Sequence, residues 1–263
     1  MSAETRRLES PLSVHARLVE NGSRGLDALY LAILSNAFPT TDKHENWELR
    51  SFRQILGWIL YSQSHLTRQI LLDFEAVNTF ESVPWLPTLS LQGVEKNSYG
   101  HVVSTLQPLA ALISGTKGGD VFVFLLHSSF REFLVDKSRS HQFCIGSGTE
   151  HHLSLASSCL RVMDQQLHFN MANLQNSYVL NSDVPDFAAR VQAGVSQALL
   201  YSCVNWARHI QMSFVPEEEF TELEMVFKVT QELFLFWVEV LALHKLSLEA
   251  EWSMLFVKSW CKV

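Results

Sequence analysis

The sequence predicts a mainly α-helical protein in which a winged-helix domain with a small β-hairpin precedes an all-helical domain. Apolar residues recur three and four positions apart along most of the chain, which is the spacing of helices with one buried face. Two apolar runs flank a glycine-rich stretch at residues 115–119, which favours a hairpin. The order helix, turn, helix, helix, hairpin over residues 49–136 is typical of a winged helix.

The composition indicates a large core and surplus apolar surface. Of the 263 residues, 47% are hydrophobic and 18% are charged, and the chain contains 7 Trp and 17 Phe. A low charged fraction with many large aromatic side chains predicts a face that a partner or a neighbouring domain covers. The formal net charge of -7 disfavours a nucleic-acid-binding protein, because phosphate contacts require a basic surface.

The cysteines and the hydropathy pattern bear on the compartment. Cys144, Cys159, Cys203 and Cys261 are irregularly spaced, which is typical neither of a disulfide framework nor of a zinc site. The first residues, MSAETRRLESPLS, lack the apolar core of a signal peptide. The longest apolar run, around residues 233–243, is too short to span a bilayer. We therefore expect a cytoplasmic protein with no membrane insertion, in which Cys159 and Cys203 are buried, reduced thiols.

Residues 1–48 are predicted to form an N-terminal segment and a lead-in helix that ends at Pro39. The spacing places the following apolar residues on one face of this helix: Leu26, Leu29, Tyr30, Ile33, Leu34 and Ala37.

Residues 49–136 are predicted to form the winged helix. Its first helix has an apolar stripe formed by Phe52, Ile55, Leu56, Ile59 and Leu60. The segment SQSH supplies a serine cap to the second helix, LTRQILLDF. A loop over residues 78–100 precedes the third helix. Pro108 must lie in the first turn of a helix or end the element. The hairpin then turns at Thr116 to Gly119.

Residues 137–263 are predicted to form the helical domain. One helix has a buried face of Leu153, Ala156, Leu160, Met163 and Leu167. Another has a buried face of Leu199, Cys203, Trp206 and Ile210. After Pro216, a single long helix is predicted to carry on one side Leu223, Phe227, Phe234, Trp237, Leu241 and Leu248. The aromatic residues of this last helix are more typical of a core or a domain interface than of a cofactor pocket.

Motifs that carry chemistry are few. The chain contains no P-loop pattern, and its nearest approach, the stretch 115–119, favours a hairpin turn because a strand follows it. His151 and His152 point about 100° apart on a helix and cannot easily share a metal ion. Even with His141 and Cys144 nearby, a polar pair at a helix start is the favoured interpretation. The acidic run Glu217–Glu219 suits a solvated first helical turn.

His127 is the candidate functional residue. It lies where a predicted strand ends and a helix begins, and Ser128, Ser129 and Phe130 follow it. An imidazole beside the free N–H groups of a helix start can contact a phosphate. A hydrolase that uses His127 with Ser128 or Ser129 is a weaker hypothesis, because neighbours at a helix start seldom adopt nucleophile–base geometry.

The segment FLLHSSFREFLVD resembles the end of the winged-helix domain of NACHT-type signalling NTPases, the group that includes the NOD-like receptors. Their pattern is a strand, a histidine and a helix of the form H-x-S-F-x-E/D-F, and the matching residues here are His127, Ser129, Phe130, Glu132 and Phe133. Other segments between residues 26 and 246, such as LDALYLAIL and LLYSCVNWARHI, resemble in order the region after the ATPase core of fungal members. Many of those continue into WD-repeat propellers.

The resemblance implies a molecular switch that ADP holds closed and that assembles after exchange for ATP. In that scheme His127 contacts the nucleotide phosphates, but only with an ATPase core present. The chain has no P-loop, no Walker B carboxylates and no propeller repeats. We therefore expect a non-catalytic regulatory and scaffold segment, not an enzyme, with no cofactor in the isolated chain. Its expected partners are proteins, either an ATPase core or homologous chains.

Two other functions stay open. The first is a winged-helix nucleic-acid-binding protein, although its recognition helix offers only Arg68 as a cation and carries Asp73. The second is an orphan helical module that binds other proteins.

Overall fold

A computed structural model describes residues 25–39, 47–79, 101–176, 178–213 and 220–260. The predicted mainly α fold with one small β-hairpin is confirmed, since the described residues form helices and a two-stranded antiparallel sheet. The expectations for the N-terminal segment up to residue 24, for most of the loop 78–100 and for the acidic run 217–219 lie outside the described residues.

The first helix, α1, covers residues 25–37, as the sequence predicts, but its buried face is different. Tyr30, Leu34 and Phe38 are buried, whereas Leu26 and Leu29 are largely exposed. The Tyr30 ring packs against aromatic residues of a later helix. This contact buries Tyr30, and the buried residues of the segment therefore recur every four positions. The sequence places Leu26 and Leu29 on one face with Tyr30 and Leu34, but packing buries only part of that face.

Helices α2 (Trp47–Tyr61) and α3 (Arg68–Thr79) follow. The predicted stripe of α2 is buried, apart from a half-buried Ile59. Thr67 caps α3, because its Oγ1 accepts a hydrogen bond from the Ile70 N–H at 3.3 Å. The predicted serine cap is therefore wrong: α3 begins directly after Thr67, which forms a β-bridge with Phe122.

The third helical run consists of α4 (His101–Leu106) and a 3₁₀ turn (Gln107–Leu109), and Pro108 lies at the start of that turn. Strands β1 (Ile113–Ser114) and β2 (Phe124–Leu125) then pair antiparallel, and the predicted turn lies within the loop that joins them.

The segment 119–126, which includes β2, lies between β1 and the start of α3. The Val123 N–H donates to the Leu66 carbonyl at 2.8 Å, and the Leu126 N–H donates to the Leu112 carbonyl at 2.9 Å. Gly115 has φ +74°, and a Cβ atom there would overlap the carbonyl oxygen of Phe122. Only glycine fits at this position, because the backbones meet without space for a side chain.

Helices α5 (Ser128–Val135) and α6 (Lys137–Ser140) lead to the central pair, α7 (Gly148–Gln166) and α9 (Gln197–Met212), with α8 (Phe187–Gly194) between them. Both predicted buried faces of the central pair are confirmed. Ser147 caps α7 through the Thr149 N–H at 3.3 Å, and Ser196 caps α9 through the Leu199 N–H at 3.0 Å. These caps fix where both helices begin.

The predicted single helix after Pro216 is wrong, because the described chain forms α10 (Phe220–Gln231), α11 (Phe234–Leu243) and α12 (Ser247–Trp260). The break after α11 is a Schellman motif. Lys245 adopts φ +61°, the Leu246 N–H donates to the Leu241 carbonyl at 2.7 Å, and the Lys245 N–H donates to the Ala242 carbonyl at 3.0 Å. Apolar periodicity alone gives no signal for such a break.

One apolar core extends through the described parts of the molecule. The Trp58 indole donates to the Ser154 hydroxyl at 3.0 Å, and the rings of Phe74 and Tyr201 pack with centroids 5.8 Å apart. Packing is thus continuous from α2 and α3 to α7 and α9. The boundary after residue 136 stays a prediction.

Replacing Gly115 by Ala should destabilise the protein more than replacing Gly146 by Ala. Gly146 has φ +84° but nothing within 4 Å of an added Cβ, so Gly146→Ala should lower the free energy of unfolding by roughly 1–2 kcal/mol through backbone strain alone. Gly115→Ala adds the clash with Phe122 and should lower it by about 1–3 kcal/mol more. Urea denaturation measures both values, and equal effects would contradict the close approach.

Candidate functional site

His127 lies at the position that the sequence predicts, between the end of β2 and the start of α5. It is the N-cap residue, with φ -134° and ψ 135°, and its side chain makes no capping hydrogen bond to the helix. The residue is exposed, and its carbonyl oxygen accepts from the Phe130 N–H at 3.2 Å. His127 is therefore an exposed residue at the N-terminal end of α5 whose side chain does not cap the helix.

The residues that follow His127 hold the helix to α1. Phe130 and Phe133 are fully buried, and their ring centroids lie 4.9 and 5.4 Å from that of Tyr30. The Ser129 hydroxyl is hydrogen-bonded to the Tyr30 hydroxyl at 2.8 Å. Of the motif residues, Phe130 and Phe133 pack in the core, whereas His127 and Glu132 are exposed.

An apolar surface adjoins His127, and we define the wing face as His65, Phe122, Phe124, Leu126 and His127. The exposed fractions of Phe122, Phe124 and Leu126 are 54%, 42% and 45%, whereas Val123 between them is buried. The His65 ring lies 6.1 Å from both phenylalanine rings. Alternate residues of an extended chain point to one side, so Phe122, Phe124 and Leu126 form one face next to His65, and His127 follows this segment in the chain.

Hydrogen bonds from the first residue of α9 hold the loop before β2 and the start of α3 next to each other. Thr67 Oγ1 donates to Gln197 Oε1 at 2.8 Å, and Gln197 Nε2 donates to Asp120 Oδ1 at 3.2 Å. One glutamine side chain thus connects the cap of α3 to the loop before β2.

A second apolar feature lies between α9 and α12. It is an open groove of about 430 Å³ whose lining includes Met212, Trp252, Leu255 and Phe256. Trp252 is 71% exposed. The described part of the chain therefore exposes apolar surface at separate places, as the composition predicts.

His151 and His152 lie near the start of α7, as the sequence favoured, but both are buried. His151 Nε2 is hydrogen-bonded to the Ile145 carbonyl at 2.6 Å, and its ring stacks on Tyr61 with centroids 5.5 Å apart. Burial lowers the pKa of His151. The two imidazoles have separate hydrogen-bond partners, although the Tyr61 ring contacts both of them.

His152 belongs to a hydrogen-bonded chain that the sequence did not indicate. Its Nδ1 lies 3.0 Å from Nδ1 of His209, and Nε2 of His209 lies 2.8 Å from the Tyr201 hydroxyl. Burial, followed by the effect of His152, lowers the pKa of His209 to about 3. The spacing of His152 from Ala156, four residues, places it on the buried face of α7, but nothing in the sequence pairs it with His209.

Among the described residues, no group of three His, Cys, Asp or Glu side chains is arranged to hold a metal ion. His141 is exposed and Cys144 is half-buried. None of the described helices is long and apolar enough to cross a membrane.

Comparisons with protein-family models, curated proteins and solved structures find no match to this chain. The resemblance to NACHT-type NTPases therefore stays an interpretation of the sequence segments that carry it.

A double-mutant cycle tests the contact between α2 and the His151 ring. A Cβ atom at Gly57 would overlap that ring, so Gly57→Ala should destabilise the protein by about 1–3 kcal/mol, although alanine favours a helix by roughly 1 kcal/mol over glycine. In a His151→Ala background the same change should be neutral or stabilising. Equal effects of Gly57→Ala in both backgrounds, measured by urea denaturation, would rule out the contact.

Proposed function

We propose that the protein is a non-catalytic regulatory and scaffold segment of a NACHT-type signalling NTPase. In this proposal the wing face docks against an ATPase core, and the protein relays the nucleotide state of that core to its helical part. The observation that carries the proposal is the exposure of His127 at the N-terminus of α5, next to three exposed apolar side chains.

The apolar part of the wing face supports a protein partner. Exposed apolar patches mark interaction sites, and burying such surface contributes about 25 cal/mol per Å². Phe122, Phe124 and Leu126 belong to an extended segment that is hydrogen-bonded to backbone groups of Leu66 and Leu112. A surface that is held in this way loses little conformational entropy when a partner docks.

The position of His127 supports a nucleotide contact across the same interface. Packing of Phe130 and Phe133 against Tyr30 fixes the direction of α5 and therefore the direction of its N-terminus. A helix N-terminus favours an anion, and an imidazole beside it can donate a hydrogen bond to a phosphate oxygen. In the proposed complex, the wing face supplies apolar affinity and His127 supplies sensitivity to the nucleotide.

The relay needs a connection from the wing face to the helical part, and Gln197 offers one. As the first residue of α9, it is hydrogen-bonded to Thr67 and to Asp120. A displacement of the loop before β2 would therefore act directly on α9, the helix in the centre of the molecule.

Removing the two phenylalanine side chains of the wing face should weaken binding to a NACHT-type ATPase core supplied in trans. We expect Phe122→Ser with Phe124→Ser to raise the dissociation constant at least tenfold, which corresponds to about 1.4 kcal/mol, in calorimetry with an ADP-loaded core. Leu248→Ser is the control, because Leu248 is 75% exposed but lies on α12. Equal losses in both variants, or binding of duplex DNA through the wing face, would contradict the proposal.

Changing His127 should weaken ADP retention by the reconstituted complex. A hydrogen bond to a charged phosphate contributes about 1.5–3 kcal/mol, so His127→Ala should raise the ADP dissociation constant by roughly one to two orders of magnitude. The exposed His168 supplies the matched control, His168→Ala. If ADP affinity is the same in both variants while the core still binds, His127 is not a nucleotide sensor.

A further inference from the structure

The hydrogen-bonded chain in the centre of the molecule joins three parts of the fold. The backbone N–H of Gln63, in the turn after α2, donates to the Tyr201 hydroxyl at 3.3 Å. That hydroxyl lies 2.8 Å from His209 Nε2, and His209 Nδ1 lies 3.0 Å from His152 Nδ1. Tyr201 and His209 belong to α9, and His152 belongs to α7.

The protons of this chain have one consistent arrangement. A backbone N–H can only donate, so Tyr201 accepts from Gln63 and is free to donate its own hydrogen to Nε2 of His209. His209 then carries its proton on Nδ1 and donates it to Nδ1 of His152. The opposite direction would leave the Tyr201 hydrogen without a partner in the chain. Each neutral imidazole therefore has an assigned tautomer.

We propose that this chain is a pH-sensitive joint that couples the turn after α2 to the pair of helices α7 and α9. The joint holds while both imidazoles are neutral. A second proton on His152 enters at Nδ1 and faces the N–H of His209 across a 3.0 Å gap, so that no lone pair remains between the two nitrogen atoms. A second proton on His209 enters at Nε2 and removes the acceptor of the Tyr201 hydroxyl hydrogen. The affected contact then opens, and the turn at Gln63 separates from α9.

The surroundings favour the neutral state. Burial lowers the pKa of His152, and the neighbouring His151 lowers it further. Burial also lowers the pKa of His209, and His152 lowers it further. From α3, the Phe74 ring packs on Tyr201.

Other titratable groups near the joint lie on several elements. Tyr61 of α2 packs edge-on against the His152 ring, and Arg131 of α5 lies 6.0 Å from the centre of the Tyr61 ring. Burial, and after it Cys159 of α7, raises the pKa of Tyr201. Burial raises the pKa of Tyr61, Arg131 lowers it and Cys144 raises it. Towards α12, Arg208 of α9 pairs with Glu249 at 2.9 Å. Burial lowers the pKa of His151, whereas Glu150, also on α7, raises it.

The direction of the pH effect follows from the lowered pKa values. Below about pH 6.5 the unfolded chain binds a proton at each of these histidines, whereas the folded protein excludes it. The stabilisation from excluding these protons is therefore fully present above that pH. It is lost as the pH falls towards the pKa values of the histidines in the folded protein. Each excluded proton raises the unfolding equilibrium constant by up to about tenfold per pH unit. His101, His151 and His244 also have lowered pKa values, so the joint must be tested by differences between variants.

The test compares the full-length protein with His152→Asn and with the surface control His168→Asn. An asparagine oxygen can replace Nδ1 of His152 as the acceptor but cannot titrate. Urea denaturation between pH 7.5 and pH 4.5 should show that His152→Asn flattens the pH dependence of the unfolding constant, by up to about tenfold per pH unit. The control should keep the wild-type dependence. A wild-type dependence in His152→Asn would overturn the proposal.

A measurement on the unchanged protein keeps the proposal testable if the variant does not fold. Long-range proton–nitrogen NMR should show His209 protonated at Nδ1 and bare at Nε2 from pH 7.5 to about pH 5, since its pKa is about 3. The Gln63 amide should lose its protection from hydrogen exchange over the same low pH range in which the His152 or His209 ring gains its second proton. A doubly protonated His209 at pH 6, or the opposite tautomer, would overturn the assignment.

Discussion

The close contact between α7 and α9 is the constraint on which the other helices depend. Fully buried small side chains lie on both helices, Ala156 and Cys159 on α7 and Ala198 and Cys203 on α9, and small side chains permit two helices to approach closely. Helices α2 and α3 pack on α7, and α11 and α12 pack on α9. Burial raises the pKa of Cys159 to about 12, so the thiol stays protonated and behaves as a small apolar group.

Polar groups inside this contact give it a defined geometry. Apolar packing tolerates small shifts, whereas a hydrogen-bonded chain through His152, His209 and Tyr201 requires each donor to meet an acceptor. The indole of Trp237 adds another directional contact, because it donates to the Cys203 carbonyl at 2.9 Å. Burying imidazoles in this way is favourable only while they are neutral. The centre of the molecule is therefore specific in its contacts and sensitive to acid at the same time.

The wing face shows the opposite distribution of polar and apolar groups. Its backbone is held by hydrogen bonds to α3 and to the segment before β1, while Phe122 and Phe124 project into solvent. Gln197 connects this exposed region to the start of α9. In the proposed function, a partner that covers the wing face acts on the same helix that carries Tyr201 and His209, so both inferences involve α9, one at its first residue and the other further along the helix.

The sequence by itself determined the existence of most described helices, the hairpin, and the place of His127 between strand and helix, because periodicity, glycine and caps act over a few residues. Only the tertiary structure decided which face of α1 is buried and where the last predicted helix breaks, since both depend on distant packing or on one left-handed residue, Lys245. It also decided that His152 meets His209, 57 residues further along the chain. A sequence pattern can place each histidine on a buried face, but the distance between two nitrogen atoms is fixed only when the helices pack.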